Sequence, residues 1–251
     1  MIPDSGSGAR AFKSLHTHYN GCARIIDNEY KRKSIHIVNG MWAFVLPFFP
    51  RIISIVIVAI ALFFVFIMAR PDSFFGSFFS HSFENMARKS DWDHGFLIGP
   101  TIYVVMIFLL VLFIDYRIAG SIFAILAFGD GFATVIGKKY GKHKFYNKKS
   151  LEGSIAFFAF SFISSITVFL LINQFNTPSA GLSFIPILIL PKVLSVNIFN
   201  TLAGFIIIIF LLTLTELFAG DYIDDNLILP ILGCILFYLI FVSFLAIRTP
   251  V

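Results

Sequence analysis

Residues 129–154 read "GDGFATVIGKKYGKHKFYNKKSLEGS" and lie between two long apolar runs. They hold Asp130, His143, Glu152 and six lysines: Lys138, Lys139, Lys142, Lys144, Lys148 and Lys149. Outward in both directions, nearly everything could sit in lipid. Of 251 residues, 58% are hydrophobic and 13% charged, whereas soluble domains carry roughly a quarter charged residues. The composition predicts an all-α, polytopic integral membrane bundle, with this basic stretch as a loop that interrupts it.

A helix needs about 20 apolar residues to cross a bilayer. The apolar runs predict about seven transmembrane helices, near residues 35–49 (short), 52–69, 96–114, 118–136, 154–174, 198–218 and 227–247. Pro50-Arg51 and Asp115-Tyr116-Arg117 read as tight corners between neighbouring helices. Residues 182–197 are apolar but broken by Pro186 and Pro191, which predicts an interfacial or re-entrant piece. Residues 1–34 form a polar, basic arm with Arg10, Lys13, Arg24, Lys31, Arg32 and Lys33. No apolar run precedes Ile35, so the start does not read as a cleaved signal peptide. The domain organisation expected is that arm, then a single membrane domain over 35–248, with the lysine-rich loop at 137–153.

Lysines and arginines collect on the cytoplasmic side of membrane proteins. Four spans separate the basic arm from the lysine loop, and two more lead to "TELFAGDYIDDN" at 215–226. All three charged clusters are therefore expected on one face, the cytoplasmic one. Cys22 and Cys234 are too few and too far apart for a disulfide framework or a metal knuckle. No inverted internal repeat of the transporter kind stands out.

Each cluster has a chemical and a plain explanation. Six cations within a glycine-spaced loop suit a polyphosphate, since glycine lets backbone approach and ammonium groups sit on phosphate oxygens. The spacing is neither a Walker A loop nor a dinucleotide fingerprint. A topogenic loop resting on acidic lipid heads would also be basic. Asp130 tips the balance, because an ionised side chain inside a span costs about 2.5–3.5 kcal/mol on insertion scales. A divalent cation travelling with a polyphosphate would use such a carboxylate.

In the acidic cluster, Glu216, Asp221, Asp224 and Asp225 repel one another unless a cation or protons intervene. Capping of the following helix explains one of them. Arg32 and His36 lie four apart and share a helix face, which suits either a phosphate clamp or cations snorkelling to the interface. His16 and His18 lie in the polar arm with no ligand set nearby. Nucleic-acid binding is not expected, as one short basic loop lacks a reading helix or a stacking platform.

In order, "RKSIHIVNG" (32–40), "GPTIYVV" (99–105), "FGDGFATVIGKKYGKHKF…NKKSLEGS" (128–154) and "E…DDNLILP" (216–230) resemble the polyprenol kinase family. That family takes in phytol, farnesol and dolichol kinases and the fungal CTP-dependent diacylglycerol kinase, and the similarity to phytol kinase is greatest. It runs from about Arg32 to Pro230. The resemblance implies a CTP-dependent phosphotransferase acting on a membrane lipid alcohol, with Mg²⁺ as cofactor. It further implies a nucleotide site at Lys138, Lys142, Lys148, Lys149, Ser150, Glu152 and Gly153, with Gly129 and Gly131 flanking Asp130. Metal ligands would come from Asp130, Asp224, Asp225 and Glu216. Arg32 would face the transferring phosphate and Asn226 would orient a carboxylate, while Asp130, Asp225 and His36 remain alternative bases. The stretches at 70–94 and 182–197 depart from phytol kinase, which leaves the acceptor alcohol open. Two other functions fit the same clusters: a CTP-dependent cytidylyltransferase making a CDP-lipid, and a non-enzymatic transporter or lipid-binding scaffold.

Overall fold

The computed structural model describes residues 22–68, 96–144, 149–175, 198–218 and 224–241. Their regular structure is helical throughout, apart from one isolated β-bridge between Lys144 and Ser150. The expected pieces at 70–94 and 182–197 fall outside these residues.

The chain begins with α1 (Cys22–Gly40), turns at Met41, and continues through α2 (Trp42–Val45) and a 3-10 turn (Leu46–Phe48). This corrects the expectation of a polar arm ending at 34 and a short span over 35–49. The buried residues of α1 include Arg32, Lys33, His36 and Gly40. They recur at helical spacing but are mostly not apolar, so a search for apolar runs misplaces the helix. Pro47 and Pro50 then stop any helix from running through this region.

Next come α3 (Arg51–Met68), α4 (Ile98–Phe113) and α5 (Tyr116–Ala124). A π-turn (Ile125–Gly129) leads from α5 directly into α6 (Asp130–Tyr140). The remaining elements are α7 (Leu151–Phe175), α8 (Ile198–Phe218) and α9 (Asp225–Tyr238). Among the described residues, three helices are long and apolar enough to cross a membrane: Tyr116–Tyr140 (α5 with α6), Leu151–Phe175 and Phe199–Phe218. Three shorter apolar helices accompany them: Arg51–Ile67, Ile98–Phe113 and Asp225–Phe241. Of the expected spans, 35–49 is thus the one without a helix of its own.

The α5–α6 helix is the axis of the bundle, with 83% of its apolar window buried against 44% for α7 and for α8. Its register against α1 is antiparallel: Gly40 meets Ala127, Lys33 meets Asp130, and Tyr30 meets Val135. Ile118, Ile122, Phe157, Val168, Ile172, Phe205 and Phe237 fill the core between α5, α7, α8 and α9. The outer face of α3 carries Ile52, Ile53, Val56, Ile60, Phe63 and Phe64 exposed, an apolar surface suited to lipid.

Both expected corners are present, and they pack on each other at the end of the bundle away from the lysines. Asp115 caps α5 by accepting from Arg117 N at 3.0 Å, and its carboxylate takes the Arg117 guanidinium through two further 3.0 Å bonds. Arg51 donates to the carbonyls of Val111, Leu112 and Ile114 at 2.9 Å each, satisfying the last turn of α4. At the other end, α6 carries the helix to Tyr140, so Lys138 and Lys139 occupy its last turn, where cations suit the helix dipole. The expected loop at 137–153 is thereby shortened to the residues between Tyr140 and Leu151.

Candidate active site

Asp130 opens α6 immediately after the π-turn, a local widening often found where a helix serves a functional site. It lies inside the bundle, 3% exposed. Lys33 Nζ donates to its Oδ2, and Arg32 and His36 stand close enough to act electrostatically on the same carboxylate. The three α1 side chains are each 5–6% exposed. Their spacing, i, i+1 and i+4, puts them on one flank of α1. Burying such a group of cations is costly unless an anion answers it, and Asp130 is that anion.

The close approach of α1 depends on Gly131. A Cβ there would lie 2.5 Å from Ile37 Cγ1, so any side chain would push α1 and its cations away from Asp130. The ring of Tyr103, on α4, lies 4.3 Å from the His36 ring. Its hydroxyl is buried with no hydrogen-bond partner among the described residues. Toward the surface, Tyr30 donates to Val135 O at 3.5 Å and its ring takes Lys138 Nζ at 5.9 Å.

A second set of charges meets the first from α8 and α9. Lys149 Nζ is 2.9 Å from Glu216 Oε1 and 4.0 Å from Asp225 Oδ2, and it also donates to the Glu216 carbonyl. The charges of Asp130 and Lys33 act on both Glu216 and Asp225, so the two sets form one polar centre. Charged residues far apart in the chain, from α1, α6, the loop, α8 and α9, meet at one end of the bundle. Asp224 has a different post: its Oδ1 accepts from Asn226 N at 3.0 Å and caps α9. Asn226 is 2% exposed, and its Oδ1 has no partner among the described residues. Asp221 and Lys148 lie outside the described residues.

The loop is closed by its own polar groups. Leu151 N donates to His143 O at 2.9 Å, and Glu152 Oε1 bonds His143 Nδ1 at 2.7 Å and His143 N at 3.2 Å. Ser150 Oγ accepts from Gly153 N at 3.2 Å, the N-cap of α7. Lys138, Lys139, Lys142 and Lys144 are exposed around this hairpin, whereas Lys149 turns inward.

No family profile matches the sequence, and no solved structure matches it. A curated plant protein does: "Probable phytol kinase, chloroplastic" of Triticum aestivum is 24% identical over 224 residues, covering 87% of this chain and 69% of that protein. The similarity supports the resemblance to the polyprenol and phytol kinases.

The glycines around the site act in packing. Gly137 and Gly153 face each other, and a Cβ on Gly153 would lie 3.0 Å from Ala133 O, so α6 and α7 run in backbone contact. Gly129 similarly admits Ser161 of α7. Sequence reasoning missed two members of the centre, Lys33 and Tyr103. Lys33 carried a signal: it lies three residues before His36 and next to Arg32, on the same flank. Tyr103 carried none beyond its place in "GPTIYVV", since a tyrosine in an apolar helix is ordinary filler.

Proposed function

We propose that this protein is a CTP-dependent kinase that moves the γ-phosphate to the hydroxyl of a membrane lipid alcohol of the phytol, farnesol, polyprenol or diacylglycerol class. The observation that carries the proposal is the meeting, among apolar helices, of buried Asp130, Glu216, Arg32 and Lys33 with half-buried Asp225 and Lys149. A scaffold that senses acidic lipid needs exposed lysines only, and has no use for carboxylates and cations brought together inside the bundle.

Phosphoryl transfer asks a protein for positioning and charge stabilisation more than for covalent chemistry. Lys149 at the inner edge of the loop, with Lys148, Lys138 and Lys142, would receive the triphosphate. Arg32 and Lys33 would meet the transferring phosphate from the α1 side, because phosphate oxygens compete with Asp130 for the same cations. The acceptor hydroxyl would enter laterally between helices and give its proton to Asp130, Asp225 or His36. The lysine-bearing end, with the site, is expected to face the cytoplasm.

Magnesium, which the family resemblance implies, is compatible with this donor set. Among the described residues, no three His, Cys, Asp or Glu side chains stand together at ligand spacing. One or two carboxylates plus nucleotide phosphates is the usual way kinases hold this ion. Asp130 and Asp225 would be those carboxylates, with Glu216 beside them and Asp224 engaged as a cap. When bound, the ion would supply positive charge to the phosphate oxygens as the γ-group leaves.

The test is the fate of label from γ-³²P-CTP supplied with phytol, farnesol, a polyprenol and diacylglycerol. A kinase leaves the label on the lipid. Label released as pyrophosphate would instead mark a cytidylyltransferase, and label left in CTP with every acceptor would sink both.

A further inference from the structure

Tyr103 is a residue of the polar centre whose chemistry the proposed phosphoryl transfer leaves unused. It sits on α4, five residues from the first residue of that helix and therefore about 7–8 Å along it. The side chain is 3% exposed, with its ring against His36 and its hydroxyl within the electrostatic reach of Asp130. A buried hydroxyl is ordinarily bonded, and this one has no partner among the described residues. Its neighbour in the helix, Thr101, does find one, donating to Leu97 O at 2.6 Å. Apolar surroundings would equally well have taken phenylalanine, as this chain does at Phe123, 6.3 Å from Tyr103 ring to ring.

We infer that the Tyr103 hydroxyl is a recognition group for the lipid alcohol, donating a hydrogen bond to the alcohol oxygen beside Asp130. The inference rests on the kinase proposal for the identity of the ligand. A phosphate at this place would be gripped by Arg32 and Lys33, and a neutral donor would add little. A neutral hydroxyl arriving through apolar helices has no use for a cation. It needs one donor for its oxygen and one acceptor for its proton, which Tyr103 and a carboxylate together provide. The arrangement separates the two substrates: cations from α1 and the loop for the nucleotide, and a phenol from α4 for the alcohol.

The experiment compares the purified full-length protein with Tyr103→Phe in detergent micelles, measuring binding of phytol and of phytene, the same chain without the hydroxyl. The parent should hold phytol more tightly than phytene. Tyr103→Phe should bind phytol about tenfold more weakly, the worth of one good hydrogen bond, and should bind phytene as the parent does. Its melting temperature should be unchanged or higher, since the hydroxyl removed bonds no group among the described residues. In the kinase assay, KM for the alcohol should rise while KM for CTP stays within about twofold. Equal phytol binding by parent and variant would overturn the inference, as would a lower melting temperature, which would reveal a structural partner. Because binding is read without turnover, absence of kinase activity in the parent would sink the kinase proposal and leave the tyrosine result standing by itself.

Discussion

The molecule has two basic regions, and their fates are opposite. The lysine loop is dense in charge and conspicuous in the sequence, yet among its described lysines Lys138, Lys139, Lys142 and Lys144 remain exposed and Lys149 turns inward, to Glu216. Helix α1 carries fewer cations at the end of an ordinary-looking basic arm, yet Arg32, Lys33 and His36 are buried around Asp130. Charge density along a chain measures how a segment meets solvent. The energetic weight of a charge depends on burial, and burial is decided by a partner helix elsewhere in the chain.

Three experiments sharpen or break this contrast, beginning with the largest effect. Asp130→Asn keeps shape and removes the charge that the α1 cations answer. Turnover should fall by about 10²–10³-fold, the usual cost of losing one electrostatic group at a reaction centre, while circular dichroism remains that of the parent. Full activity in this variant would take Asp130 out of the chemistry.

Next in size is Lys33→Met, which leaves Asp130 charged, buried and short of its nearest partner. Breaking one side of a buried pair costs about 3–5 kcal/mol, to be read as a lower thermal midpoint in detergent. The double variant Lys33→Met/Asp130→Asn should recover most of that loss. If the single variant melts like the parent, α1 is not anchored by this pair.

The smallest effect is expected from Lys142→Ala/Lys144→Ala in the exposed loop. Stability should stay within about 0.5 kcal/mol for each site. KM for CTP should rise by a few-fold, with the difference fading as salt increases. A loss as large as that of Lys33→Met would reverse the ranking of the two regions.

Much of the architecture was legible because lipid imposes a simple rule. Where a segment faces apolar surroundings on all sides, runs of apolar residues mark it, and the expected helices at 52–69, 96–114 and 198–218 match α3, α4 and α8 within two residues. The corners at Arg51 and Asp115–Arg117 were equally readable, since proline and a capping aspartate act locally. Helix α1 was not, because its buried face is polar and its burial is intelligible only beside Asp130. The lysine loop was overdrawn at both ends, since helix propensity carries α6 through Lys138 and Lys139 and the Ser150 cap starts α7 early.

Composition and spacing alone set the all-helical plan and singled out Asp130 as an expensive residue inside an apolar run. Only the tertiary structure decided which charges meet. Lys33 is paired with Asp130, and Lys149 with Glu216 and Asp225, across separations of 97, 67 and 76 residues (130 − 33, 216 − 149 and 225 − 149). Such pairings depend on glycine-lined helix contacts that set depth and rotation. A one-dimensional pattern records what each helix tolerates around it, and the packing chooses the neighbour.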